Sequence, residues 1–286
     1  VDGWLFYNFH NIDPSANAIL HVPPEKMFSR RWFYWVPTGG EPIKLVHRIE
    51  SGALDHLPGQ KLQYSTWSQM HEALKRVLQT AGQVCMQYSP LNAIPYVAFV
   101  DAGTVELVRS TGVEVRSSAN LIQNFEAVWS QYGLQSHQQA ATKLREIVQQ
   151  AFARVKQSFA QGAAISEYRL QQFILEQFSQ SGMVCSHPPI VAVNEHSGDP
   201  HFETQEQNCR DLQRGDLLLI DLWAKLDHVE AVYADITWMA VVDVEVAPKY
   251  AEVFDILVRA RDAAVGFIQK NFDENQPVFG YQVDDS

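Results

Sequence analysis

The chain has 286 residues, 46% of them hydrophobic, which suffices for two ordinary domains with cores of their own and excludes a largely disordered polypeptide. Its 22 basic and 33 acidic side chains give a net charge of −11, which repels phosphate backbones and anionic headgroups and argues against nucleic acid or a membrane surface as a partner. Three widely spaced cysteines, Cys85, Cys185 and Cys209, form no CxxC pair and read as reduced thiols of a cytoplasmic protein, not as a disulfide framework or thiolate zinc site.

The first twenty residues lack a basic region followed by a long apolar run, and nowhere do eighteen apolar residues stand together, so neither an export signal nor a membrane span is expected. The chain starts at Val1 and enters the strand-like Trp4-Leu5-Phe6-Tyr7 almost at once, so residues upstream are expected to be missing. Up to about Arg116, short β-rich runs alternate with turn signals, and strands are predicted at 4–9, 31–36, 43–47, 84–87, 95–99 and 105–109. Trp67, Met70, Leu74, Val77 and Leu78 recur at helical spacing before Gly82, which predicts one intervening helix.

From Ser118 the pattern turns to long helices. One is predicted to about Gln131, and a second from Ser136, whose Gln139 three places on makes a capping-box signature. Its apolar stripe of Ala140, Ala141, Leu144, Ile147, Val148, Ala151, Phe152, Val155 and Phe159 is ended by Gly162. A third helix follows Ser166, buries Leu170, Phe173, Ile174 and Phe178, and stops at Gly182. Strands are expected at 189–194, 216–223 and 232–242, then a helix opened by Pro248 with Val253, Phe254, Leu257, Ala260, Ala264 and Phe267 on its inner face. The final Val283-Asp284-Asp285-Ser286 looks like the start of another helix. The division is therefore an α/β domain at 1–117, a connecting helix and linker at 118–135, and a second domain at 136–286.

Two apolar runs each hold one carboxylate. Asp221 sits in Leu217-Leu218-Leu219-Ile220-Asp221-Leu222-Trp223, and Asp235 in Tyr233-Ala234-Asp235-Ile236-Thr237-Trp238. A buried ionised carboxylate without a partner costs several kcal/mol or more, so each needs a cation, a donor network or a proton. Polar residues 225–230 between the runs make an antiparallel hairpin the simplest connection. If Asp221 lies opposite Asp235, their Cβ atoms stand about 5 Å apart on one face, and a divalent ion between them removes their repulsion. Turn capping or backbone-amide binding at a sheet end is the competing reading, and Lys225 near the turn is expected to face solvent.

These segments resemble the pita-bread metallopeptidases, the family of Xaa-Pro aminopeptidases, prolidases, methionine aminopeptidases and creatinases. Gly215 to Asp221 followed by Tyr233 to Thr237 is similar to the family's paired-Asp hairpin, and Ile190 to Asn194 followed by Pro200-His201-Phe202 to its strand and substrate-facing histidine. The first 117 residues look like the amino-terminal domain of aminopeptidase P, prolidase and creatinase. The implied fold is an α/β amino-terminal domain followed by an α+β pita-bread catalytic domain that is incomplete in this chain. The resemblance makes Asp221 a ligand of one metal, Asp235 a bridge between two, and His201 the residue that hydrogen-bonds substrate and steadies the tetrahedral intermediate. It implies two divalent ions, with the carboxylate ligands favouring manganese over cobalt, zinc or iron.

The implied activity is hydrolysis, by a metal-bridging hydroxide, of the bond between an amino-terminal residue and proline in peptides or dipeptides, by a homodimer. The aromatic segment 30–36 is a candidate for its contact surface. Alternatives are a non-catalytic pita-bread module that binds peptides or proteins, and a creatinase-like amidinohydrolase; retention of both Asp residues weighs against each. Three departures stand out. The two Asp residues are fourteen positions apart, more than is usual in the family. Trp238 stands where many relatives carry arginine. The family's remaining ligands, a histidine and two glutamates, have no counterpart before Ser286, so the chain is expected to be part of a longer protein and inactive by itself. His196 matches no motif and reads as a solvated loop histidine, His187 and His228 as structural or surface residues, and Trp4, Trp32, Trp35 and Trp67 as core or interface.

Overall fold

A computed structural model describes residues 1–286, and the chain divides into two compact units, Val1–Trp129 and Ser130–Ser286. Each has its own sheet and its own core.

In the first unit, β1 (Gly3–Asn8), β2 (Trp32–Pro37), β3 (Ile43–His47), β4 (Gln60–Tyr64), β5 (Gln83–Met86) and β6 (Glu114–Ser117) form one sheet in the order β4-β3-β2-β1-β5-β6. Only β2 runs against the rest, because it pairs antiparallel with both β1 and β3 while the remaining pairs are parallel. Both faces of the sheet are covered. Leu5, Tyr7, Phe33 and Leu45 pack with Met70, Leu74 and Val105 on one side; Trp4, Phe6, Trp32 and Tyr34 pack with Ala16, Leu20 and Ile122 on the other. Such two-sided burial explains why β1 and β2 at the centre of the sheet read as continuous apolar runs instead of alternating ones.

The helices here are α1 (Pro14–Ile19), α2 (Trp67–Val77), α3 (Ala102–Arg109) and α4 (Ala119–Glu126). The predicted strand at 105–109 is the second half of α3, started by Asp101, whose Oδ1 accepts from Thr104 N at 2.8 Å. That at 95–99 holds the 3₁₀ turn Pro95–Val97. In both places aromatic and β-branched residues favour a strand, but the local cap or proline decides for a helical turn. Trp67 is 60% exposed and does not belong to the core stripe of α2.

In the second unit α5 (Gln131–Ala160) starts at the Ser130 cap, not at Ser136. Ser136 is buried inside the helix and its hydroxyl donates to Gly133 O at 2.8 Å, so the capping-box signature there is internal back-bonding. The helix predicted to run from Ser118 to about Gln131 is α4 alone, ending at Glu126. α6 (Glu167–Gln180) ends before Gly182, which takes φ +65°. Strands β7 (Met183–Val184), β8 (Ile190–Val193), β9 (Leu217–Leu226) and β10 (Ala234–Val241) follow, with β7, β8 and β10 all antiparallel to β9. The core face of β9, Leu218, Ile220, Leu222 and Ala224, packs with Leu144, Val148, Ile174 and Phe178 of the helices.

The chain closes with α7 (Pro248–Asp273) and α8 (Gly280–Asp284). The inner face expected for α7 is not buried: none of its residues is, and Val253, Phe254 and Leu257 are each more than half exposed. Residues 283–286 lie at the end of α8, not at the start of a helix. No helix is long and apolar enough to cross a membrane.

Candidate metal centre

The two carboxylates reach one surface through strand periodicity. Along β9, Leu218, Ile220, Leu222 and Ala224 face the helices and are buried, while Leu219, Asp221 and Trp223 point to the opposite side and keep partial exposure. On β10 the buried Ala234 likewise alternates with the exposed Asp235 and Thr237. Since Asp235 lies opposite Trp223 and Thr237 opposite Asp221, both Asp side chains project from the face away from the helical core.

The register corrects the expected pairing. Asp221 and Asp235 are not directly opposed but are offset by two residues, the diagonal relation that puts Cβ atoms about 7–8 Å apart. The turn sets this offset: Ala224 pairs with Ala234, leaving the nine residues of the bend to absorb the long spacing. An offset of two keeps both side chains on one face, where an offset of one would have separated them.

Thr237 fills the place opposite Asp221, and its hydroxyl donates to Asp221 Oδ1 at 2.6 Å. Asp235 has no such donor. Partial burial pushes its carboxyl above the ordinary value, and the Asp221 carboxylate pushes it further. Two oxygen donors on one face, one held by a hydroxyl and the other in an unfavourable field, suit a hard divalent cation, which would offset both the burial of Asp235 and its repulsion by Asp221. They make only a partial set: no group of three or more His, Cys, Asp or Glu side chains converges here or elsewhere in the structure. Lys225 pairs with neither Asp; its Nζ donates to His228 O at 3.2 Å and lies over the Tyr233 ring.

His201 is exposed on the segment after β8, and its backbone N–H donates to Asp199 Oδ1 at 2.9 Å. No hydrogen bond joins its ring to either Asp. The segment is nevertheless held in place at both ends. Thr204 Oγ1 accepts from Val191 N at 3.1 Å and donates to Val191 O at 2.9 Å, tying the chain just beyond His201 to β8. Upstream, the Asn194 side chain donates to Asp216 Oδ1 at 2.7 Å and accepts from Leu217 N at 2.9 Å, which ties the loop to the start of β9.

The anchor of this loop leaves almost no signature in the sequence. Glu167, in the first turn of α6, is fully buried, and its carboxylate accepts from Val193 N at 2.7 Å, Arg210 N at 2.9 Å and His196 Nδ1 at 2.9 Å. His196 is thus not a solvated loop histidine: its ring also stacks on Phe202, centroids 4.2 Å apart, next to His201. The only sequence signal was Glu167 just after a Ser cap, a position in which an acidic residue is usually an exposed partner of the helix dipole.

Residues 136–272 match the sequence model described as Metallopeptidase family M24. In structure the chain is similar to the prolidase from Pyrococcus horikoshii OT3 (17% identity, TM-score 0.55, covering 93% of this chain and 67% of that one). It is similar also to the dipeptidase PepE from Mycobacterium ulcerans (18%, 0.59, 93% and 66%) and to the Xaa-Pro dipeptidase from Bacillus anthracis (15%, 0.53, 92% and 66%). The chain spans about two thirds of the length of these proteins. No curated protein matches it in sequence.

Proposed function

We propose, for a chain that belongs over residues 136–272 to the pita-bread metallopeptidases of family M24, that it serves the metal-dependent hydrolysis of the bond between an amino-terminal residue and a following proline. The observation that carries the reading is the placement of Asp221 and Asp235 on one open face of the β9–β10 hairpin, within strands otherwise apolar enough to be buried.

Asp221 and Asp235 are the residues that would hold divalent metal, and their all-oxygen donor set favours manganese. Metal bound there would polarise a peptide carbonyl and ease the deprotonation of water. The chain's own part is to present the carboxylates at fixed register, with Thr237 orienting Asp221, and to hold His201 on a braced loop as a donor to the developing oxyanion. The setting that goes with this reading is a cytoplasmic homodimer acting on peptides or dipeptides; three free thiols fit a reducing compartment.

Two carboxylates are part of the ligand set that the family resemblance implies, so this chain is expected to bind manganese weakly. Titration of the chain with manganese, followed by calorimetry, should show binding that Asp235→Asn weakens at least tenfold. In a protein supplying the remaining ligands, the same substitution should reduce turnover of Xaa-Pro peptides at least a hundredfold. Undiminished turnover in Asp235→Asn would remove the bridging role.

A further inference from the structure

The first unit carries a concavity of its own. A cavity of about 320 Å³, within the usual range for small-ligand pockets, opens between the Phe9-His10 and Ser29-Arg30-Arg31 segments and residues His47 and Tyr64 to Trp67. Topology puts it at a meaningful edge. Phe9 directly follows β1, His47 ends β3 and Tyr64 ends β4, so the cavity lies outside the carboxyl ends of three strands that run the same way. In open α/β sheets this is where ligands bind, because the loops there are free to vary over a rigid scaffold.

Its chemistry runs against that of the chain as a whole. The net charge is −11, yet no Asp or Glu lines this cavity while two arginines do. Glu50 stands beside it, taken up by Ser29 N and Oγ and by Arg30 N, and its negative charge offsets that of the Arg30 guanidinium. Arg31 enters none of the ion pairs. Its guanidinium lies 6.0 Å over the Phe9 ring, and its backbone carbonyl is fixed by the Tyr64 hydroxyl at 2.6 Å. His47 is engaged: its Nδ1 accepts from Ile49 N at 3.1 Å, leaving Nε2 to donate to Ser65 O at 3.2 Å.

The rest of the lining mixes three large aromatic side chains with Met70 and the small hydroxyls of Ser29, Ser65 and Thr66. Phe9 and Tyr64 flank Arg31, and Trp67, 60% exposed at the first turn of α2, forms a wall with no core to bury it. An unpaired guanidinium beside aromatic rings matches a ligand with an anionic fork at one end and apolar bulk at the other. The first turn of α2 adds a favourable field; its cap is closed by Thr66 and Gln69. We propose that this cleft binds a small organic carboxylate with an apolar body, of about the size of one or two amino-acid residues. Arg31 would pair the carboxylate, and Phe9, Tyr64 and Trp67 would receive the apolar part.

The test is a calorimetric and amide-NMR titration of the full chain with N-acetylphenylalanine, its uncharged amide and inorganic phosphate. The acid should bind with shifts confined to residues around Arg31, Tyr64 and Trp67, at least tenfold more tightly than either the amide or phosphate. Arg31→Gln and Trp67→Ala, both at exposed positions and checked for fold by circular dichroism, should each weaken the acid at least fivefold. Equal binding of acid and amide, or indifference to Arg31→Gln, would reduce the site to an apolar groove and overturn the proposal. Phosphate binding as tight as the acid, or no binding of the acid at all, would overturn it too. Because the site lies wholly in the first unit, none of these outcomes bears on metal binding by Asp235, so the two readings fail separately.

Discussion

Glu167 has no accessible surface, yet it carries a carboxylate that three N–H donors share. Removing the imidazole of His196 leaves a buried charge with one fewer partner and opens space beside Phe202, so His196→Ala should cost about 2–4 kcal/mol in urea unfolding. Adding Glu167→Gln removes the charge and should recover part of the loss, and strict additivity of the two would show that the residues are uncoupled. Asp13 makes the opposite case. It caps α1, with Oδ1 accepting from Ala16 N at 2.8 Å, while Oδ2 is buried without a partner. Burial pushes this carboxyl up to about 6. A folded-state value above the unfolded one of about 4 means that the folded chain binds the proton more tightly, so stability is present at low pH and lost as pH rises through about 6. The loss amounts to about 3 kcal/mol, and Asp13→Asn, which keeps the cap without the charge, should abolish this component and unfold later than wild type at pH 7.

Among the elements, those whose pattern reflects a single buried face were legible: α6 from its stripe and Gly182, and β9 from its length and apolar content. Elements decided by a cap, a proline or a distant neighbour were not. Gln60–Tyr64 lacks strand-like alternation and becomes β4 because β3 offers it a parallel edge. The paired carboxylates were readable because an Asp inside an apolar run is conspicuous, but their two-residue offset depends on turn geometry, and the Glu167–His196 anchor joins residues 29 positions apart. Leu222→Ala, on the packed face of β9, should cost about 2–5 kcal/mol. α7 has the apolar spacing of a core helix without a core, so its amides should exchange with deuterium orders of magnitude faster than those of β9. Comparable protection in the two would mean that α7 is covered in solution.

At the scale of the molecule, every residue of the first unit's two cores comes from positions 4–122, and every residue of the second unit's from 140–234. Residues 1–129 expressed alone should therefore unfold cooperatively, and a broad, non-cooperative melt would show that the unit needs the rest of the chain. The second unit contains a feature that matters at the bench. β10 ends its sheet, with a row of backbone donors and acceptors on its outer edge that no strand takes up. Along that edge Ile236-Thr237-Trp238-Met239-Ala240-Val241 has neither charge nor proline, and Trp238 and Met239 are 41% and 38% exposed. Natural sheets protect such margins with lysine, proline or a bulge, and this one has none of them. Concentrated solutions of the chain should therefore form cross-strand oligomers that scatter light and bind thioflavin, and a lysine at Trp238 should keep them clear.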